Sequence, residues 1–215
     1  MKATQQLHDL GQSLWLDNIT RDLLDNGTFK RYIDEFSITG LTSNPTIFEH
    51  AISKSSSYDA EVGRLMKTGI SGEELFFELA LQDLTRAADL FASVHERTAG
   101  VDGFVSLELS PLLAYDTKKS VSAAKFLHGK GNRPNLFIKI PGTSNGVPAI
   151  EESIANGVAI NVTLLFSREQ YLASAEAYMR GLVTNSLRLR MHLSSNKVNV
   201  CDWVSKAQRP RGVSS

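Results

Sequence analysis

The segment Asn135-Leu-Phe-Ile-Lys-Ile-Pro-Gly-Thr-Ser144 constrains the architecture of this chain more than any other. An apolar run of strand length carries one ammonium, Lys139, at its centre and breaks at Pro141-Gly142. Near-continuous apolar runs with branched and aromatic side chains suit strands buried on both faces of a parallel sheet. A charge in such a place is costly unless the amine is partnered or gives up its proton. A neutral lysine amine is a nucleophile toward carbonyl carbon, so Schiff-base chemistry is the first expectation. The run also fits a structural lysine that snorkels at a sheet edge, and only the surrounding sequence separates the two.

On either side of this run, strand-like and helix-like segments alternate. Ser13-Leu-Trp-Leu-Asp17 is a short apolar stretch ending in a carboxylate, with a helical pattern following it through Leu24. Ser37-Ile-Thr-Gly-Leu-Thr42 reads as the second strand, closed by Asn44-Pro45, where proline suits the first turn of a helix. Ser71 with Glu74 forms a candidate capping box for a long amphipathic helix reaching about His95. Phe104-Val-Ser-Leu-Glu-Leu109 alternates as a third strand; Thr117 to Leu127 is helical, and Gly129 to Pro134 reads as a loop. Leu136 to Ile140 is the fourth strand and Val147 to Ala155 the next helix, with Gly142 to Gly146 read as its turn and cap. Val158 to Leu165 is the fifth strand, and Ser167 caps a helix to about Leu182. Strand then helix, five times over, predicts an α/β chain with a parallel sheet. Without a Gly-x-Gly-x-x-Gly after the first strand, a TIM-type (β/α) barrel is favoured over a dinucleotide fold.

Composition narrows the function classes. Of the 215 residues 42% are hydrophobic and 21% charged, which places the chain among ordinary globular proteins. Zero formal net charge gives no reason to expect nucleic acid or an anionic membrane as a partner. The single cysteine, Cys201, excludes an internal disulfide framework and fits a reducing cytoplasm. Met1 to Asp17 has neither signal-peptide nor transit-peptide character, and no apolar run reaches the ~20 residues needed to span a bilayer. The expectation is a cytoplasmic protein.

In parallel barrels, chemistry gathers at the carboxyl ends of the strands. Those ends carry Asp17 in the first unit, Thr42 and Asn44 in the second, Glu108 in the third, Lys139 in the fourth, and Asn161 and Thr163 in the fifth. Singly, each is the kind of residue that caps a helix or pairs with an ion. Together at one end of five successive strands, they predict two carboxylates, one lysine and several neutral hydrogen-bonding groups around one cavity.

These residues also carry a family resemblance. Gly40-Leu-Thr-Ser-Asn-Pro-Thr-Ile-Phe48 resembles the first transaldolase motif, and Phe137-Ile-Lys-Ile-Pro-Gly-Thr143 the second, which holds the Schiff-base lysine. Val105-Ser-Leu-Glu-Leu-Ser110 with Tyr115-Asp116-Thr117, and Ile160-Asn-Val-Thr-Leu-Leu-Phe-Ser167, fall in the family's order. Leu7-His-Asp-Leu-Gly-Gln-Ser-Leu-Trp-Leu-Asp17 is similar to the type 2 branch of that family. The resemblance implies a class I aldolase mechanism with no cofactor and no metal, acting on sugar phosphates. A dihydroxyacetone unit would pass from sedoheptulose 7-phosphate or fructose 6-phosphate to glyceraldehyde 3-phosphate or erythrose 4-phosphate, in the non-oxidative pentose phosphate pathway. It further implies Lys139 as the imine-forming residue and Asp17 as the base of carbon–carbon cleavage. Glu108 would serve carbinolamine chemistry through a water held with Thr163. Asn44 and Asn161 would hold the hydroxyls of the three-carbon unit, with Thr42 supporting the pocket.

The pattern stops after about residue 182, where the family continues into further strands of an eight-stranded barrel. Residues 1–182 therefore read as a partial barrel, and residues 183–215 as an irregular basic tail with the composition of a poorly ordered end. The serine and arginine groups that grip the substrate phosphate in the family have no match in that tail. Two other readings follow: an inactive truncated fragment with an open sheet edge that invites self-association, and an aldol lyase of the same imine chemistry.

Overall fold

The five apolar runs form one parallel sheet in chain order. The computed structural model describes residues 2–191, and the expected tail from residue 192 onward lies outside them. After helix α1 (Ala3–Asp9) the chain runs through β1 (Leu14–Leu16), α2 (Arg21–Asp25), α3 (Thr28–Phe36), β2 (Ile38–Thr42), α4 (Pro45–Lys54), α5 (Asp59–Lys67) and α6 (Gly72–Arg97). It continues through β3 (Phe104–Glu108), α7 (Thr117–Gly131), β4 (Leu136–Pro141), α8 (Gly146–Ala155), β5 (Ile160–Thr163) and α9 (Arg168–Met191). The strand order β1-β2-β3-β4-β5, every neighbour parallel, is an open, five-stranded portion of a TIM-type barrel. Among the described residues, β1 and β5 each have a single strand neighbour.

Side-chain alternation assigns each strand's residues to two faces. Leu41, Val105, Leu107, Ile138 and Ile140 are buried and belong to the core formed with Leu84, Ala88 and Phe91 of α6, Val121 and Ala124 of α7, and Ile150 of α8. Burying a large apolar side chain contributes about 1.5–3 kcal/mol, so this outer layer is the main source of sheet stability.

The other parity faces the concave side, and register aligns it across strands. Trp15 pairs with Gly40, Gly40 with Phe104, Ser106 with Phe137, Glu108 with Lys139, and Lys139 with Asn161. At the amino end, the Phe137 ring stacks on Phe104 at 4.1 Å and on Trp15 at 6.5 Å between centroids. Gly40 makes room for this floor, because a Cβ there would lie 2.4 Å from the Trp15 ring.

Three local expectations are corrected. Ser71 stands at the N-cap of α6 but its hydroxyl makes no capping bond; Glu73 and Glu74 complement the positive helix end by charge instead. Helix α7 runs through Gly129 to Gly131, where a loop was expected, and ends on Asn132 in the left-handed region at φ 44°. Gly131 answers to packing, since a Cβ there would sit 2.3 Å from the Leu136 side chain. The irregular stretch expected from residue 183 begins as helix, because α9 continues to Met191. Packing against α8 holds it there: Asn185 is buried and donates Nδ2–H to the Ile154 carbonyl at 2.9 Å, and Gly181 allows close approach to Glu151.

Candidate active site

Each candidate side chain is placed by its strand end. Asp17 follows β1, in the loop leading to α2. Thr42 closes β2, and Asn44 caps α4, its Oδ1 accepting the Ile47 N–H at 3.0 Å with Pro45 behind it at the first helical position. That bond uses the carbonyl and leaves the amide nitrogen, a donor, to offer to the cavity Asn44 lines. Glu108 ends β3, Lys139 lies inside β4, and Asn161 and Thr163 lie on β5.

Lys139 is 9% exposed, and its Nζ donates to Glu108 Oε2 at 2.9 Å and to the Ser43 carbonyl at 3.1 Å. Of the two ways a buried run can carry a lysine, the structure shows partnering. Asp17, Thr42, Asn44, Lys139, Asn161 and Thr163 line one cavity of about 400 Å³, floored by Trp15. Glu108, bonded to the Lys139 amine, lines a neighbouring cleft of about 810 Å³ that shares Asp17 and Asn44 with the cavity and extends past His50 and Lys54 of α4. The two spaces share Asp17 and Asn44 in their linings, and each of the seven sequence-derived residues lines one or both of them. Among the described residues, no group of three His, Cys, Asp or Glu side chains could hold a metal ion.

Two hydroxyls at the site were not singled out from the sequence. Ser43 is buried between Thr42 and Asn44 and donates its Oγ–H to the Ser106 carbonyl at 2.8 Å. Ser106, buried on the same face of β3 as Glu108, accepts the Asn161 Nδ2–H at 3.2 Å. Strand parity gave a signal for Ser106, two residues before Glu108; the acceptance by a Ser43 main-chain carbonyl had none.

A second polar network pins the loop that carries Asp17. Arg21 Nε bonds the buried Asp83 at 3.0 Å, Tyr58 donates its hydroxyl to the same carboxylate at 2.7 Å, and Gln82 joins Arg21 to Glu61. Burial pushes both the Asp83 carboxyl and the Tyr58 phenol up, each more protonated than in water. Hydrogen bonds from Arg64 and Gln82 hold the Glu61 carboxyl down to about 2. The Gly142–Gly146 turn is a helix start, as expected: Thr143 Oγ1 accepts the Gly146 N–H at 2.9 Å and donates to Ala114 O at 2.7 Å.

The family described as Transaldolase/Fructose-6-phosphate aldolase matches residues 14–205. The chain belongs to this family. A protein named Transaldolase from Arthrobacter sp. (strain FB24) is 45% identical over 179 residues, covering 83% of this chain and 48% of the relative. A Transaldolase from Thiobacillus denitrificans is 45% identical, covering 85% and 51%, and a Transaldolase 2 from Nostoc punctiforme is 41% identical, covering 82% and 46%. The chain thus spans about half the length of the curated relatives it matches. The transaldolase-family match covers every strand of the sheet and both sides of the cavity.

Proposed function

We propose that the residues around Lys139 form a transaldolase site, which moves a dihydroxyacetone unit from a ketose phosphate to an aldose phosphate. The observation that carries this reading is the Lys139 amine, 9% exposed and 2.9 Å from the Glu108 carboxylate, at a cavity lined by the Asp17 carboxylate and by neutral hydrogen-bonding side chains. Donors of the reaction are sedoheptulose 7-phosphate or fructose 6-phosphate, and acceptors glyceraldehyde 3-phosphate or erythrose 4-phosphate, in the cytoplasmic, non-oxidative pentose phosphate pathway.

The chemistry follows from the placement. Glu108, already bonded to Nζ, takes a proton from the Lys139 ammonium and so frees the lone pair that attacks the ketone. After a proton passes from nitrogen to the former ketone oxygen, Glu108 returns its proton to the carbinolamine hydroxyl, which leaves as water to give an iminium. A separate water held by Thr163 relays these transfers. The C3–C4 bond then breaks, its electrons moving into the protonated imine to give a neutral enamine, while Asp17 accepts the proton of the C4 hydroxyl. Asn44 and Asn161 hydrogen-bond the hydroxyls of the retained fragment, and Thr42 supports their side of the cavity. The acceptor aldehyde adds to the enamine, Asp17 returns its proton, and hydrolysis of the new imine frees Lys139.

An aldolase shares every step to the enamine and differs in what takes it, a proton or an aldehyde; donor cleavage without an acceptor favours that second reading. Borohydride reduction of the 215-residue chain with fructose 6-phosphate, read by mass spectrometry, tests the imine. The expected result is one adduct mapped to Lys139 and none in Lys139→Ala; an adduct that persists in that variant overturns the assignment.

A further inference from the structure

Ser106 lies beside the reacting groups yet holds none of the roles above. It is fully buried, its carbonyl receives the Ser43 hydroxyl, and its own hydroxyl accepts Asn161 Nδ2–H. The Ser43 carbonyl in turn receives the Lys139 amine. Ser106 therefore ties β3 to the residue just past β2 and to β5, one hydrogen bond from Asn161, which lines the cavity.

We infer that Ser106 is a positioning residue that sets which end of the Asn161 carboxamide meets the ligand. A primary amide has a donor end and an acceptor end, and it turns over by rotation about its last side-chain bond. With Nδ2 engaged below by Ser106, Oδ1 is the end turned toward the cavity Asn161 lines. Asn161 then recognises a group that donates a hydrogen bond, which is what an alcohol next to a ketone carbon supplies. Asn44 is fixed in the opposite sense, its Oδ1 spent on the Ile47 N–H and its amide nitrogen free to donate. The site thereby offers one carboxamide acceptor and one carboxamide donor, a pair that suits a hydroxyketone whose hydroxyls both give and accept. The inference rests on the imine reading for its kinetic test but not for its spectroscopic one.

Dihydroxyacetone, which carries the hydroxyketone without a phosphate, is the probe, and borohydride trapping on the full chain is the readout. Ser106→Ala is expected to raise the concentration for half-maximal trapping about two- to tenfold, the range for one lost hydrogen bond, while the trapping rate at saturation holds. Ser106→Cys keeps the packing and weakens the acceptor, so it falls between wild type and Ser106→Ala. In an Asn161→Ala background the same change adds nothing further, because the group it positions is gone. Losses that multiply in the double variant, or a Cys variant equal to wild type, overturn the inference. Independently of reactivity, the Asn161 side-chain amide resonance must shift in Ser106→Ala; an unmoved resonance overturns it too. A shifted resonance with no wild-type adduct sinks the transaldolase reading and leaves the positioning role standing.

Discussion

Phe137 and Lys139 lie two residues apart on one strand and face the same concave side, yet they live in different chemistries. The phenylalanine is stacked among rings contributed by β1 and β3, and the lysine is bonded to a carboxylate and a main-chain carbonyl. Gly40 and Thr42 on β2, and Phe104 and Ser106 on β3, repeat the step from packed to polar. A dry floor and a polar working layer are thus separated by about 6.6 Å of strand, two residues at the usual rise. Substitutions in the floor should cost stability, and those in the polar layer should cost chemistry.

The largest effect is expected at the floor. Phe137→Ala removes the middle ring and should lower the unfolding free energy by about 3–5 kcal/mol in urea titration. A loss below about 1 kcal/mol would mean that the aromatic layer is not packed, and would break the comparison. Gly40→Ala comes next, at about 1–3 kcal/mol, because its methyl must displace the Trp15 ring, whose neighbours already hold it. A melting curve equal to wild type would show that the indole can move freely.

Lys139→Met sharpens the contrast from the other side. Removing one partner of a dry ion pair costs about 3–5 kcal/mol, but the Glu108 side chain is 22% exposed and can take water. The expected change is within about 1 kcal/mol, with imine trapping abolished. A large destabilisation would make the pair structural and blur the two layers.

The smallest effect belongs to neither layer. Glu61 titrates at about 2 in the folded chain, below its unfolded value, so its contribution is present above the unfolded pKa and is lost as pH falls toward 2. Glu61→Gln should flatten the stability profile between about pH 4.5 and 2, its cost being largest above pH 4.5, where exposure holds it within about 1 kcal/mol, and vanishing toward pH 2. An unchanged acid limb would remove Glu61 from the network that anchors the Asp17 loop.

Much of the fold was legible because strand runs and their polar ends are local patterns. All five strands were found within a residue or two, and Asn44-Pro45 and Ser167 cap the helices they were expected to cap. The misses share a cause. Gly129 and Gly131 look like loop residues until the Leu136 side chain of the next strand is placed against the helix. The helix beyond Leu182 shows no strong period, since what holds it is Asn185 and Gly181 docking on α8. Ser71 has the spacing of a cap, but spacing does not aim a hydroxyl.

Side-chain order along the chain determined that the sheet is parallel, which face of each strand is polar, and that the charged and amide groups gather at one end. Those facts need only a two-residue repeat and the rule that successive strands run the same way. Which atoms bond was decided by the tertiary structure alone. Lys139 meets Glu108 and Ser43, and Asn161 meets Ser106, only once the register between neighbouring strands is fixed, and that register is set by aliphatic packing against the helices on the opposite face. A hydrogen bond tolerates a few tenths of an ångström, and no local pattern in a sequence carries that precision across ninety residues of chain.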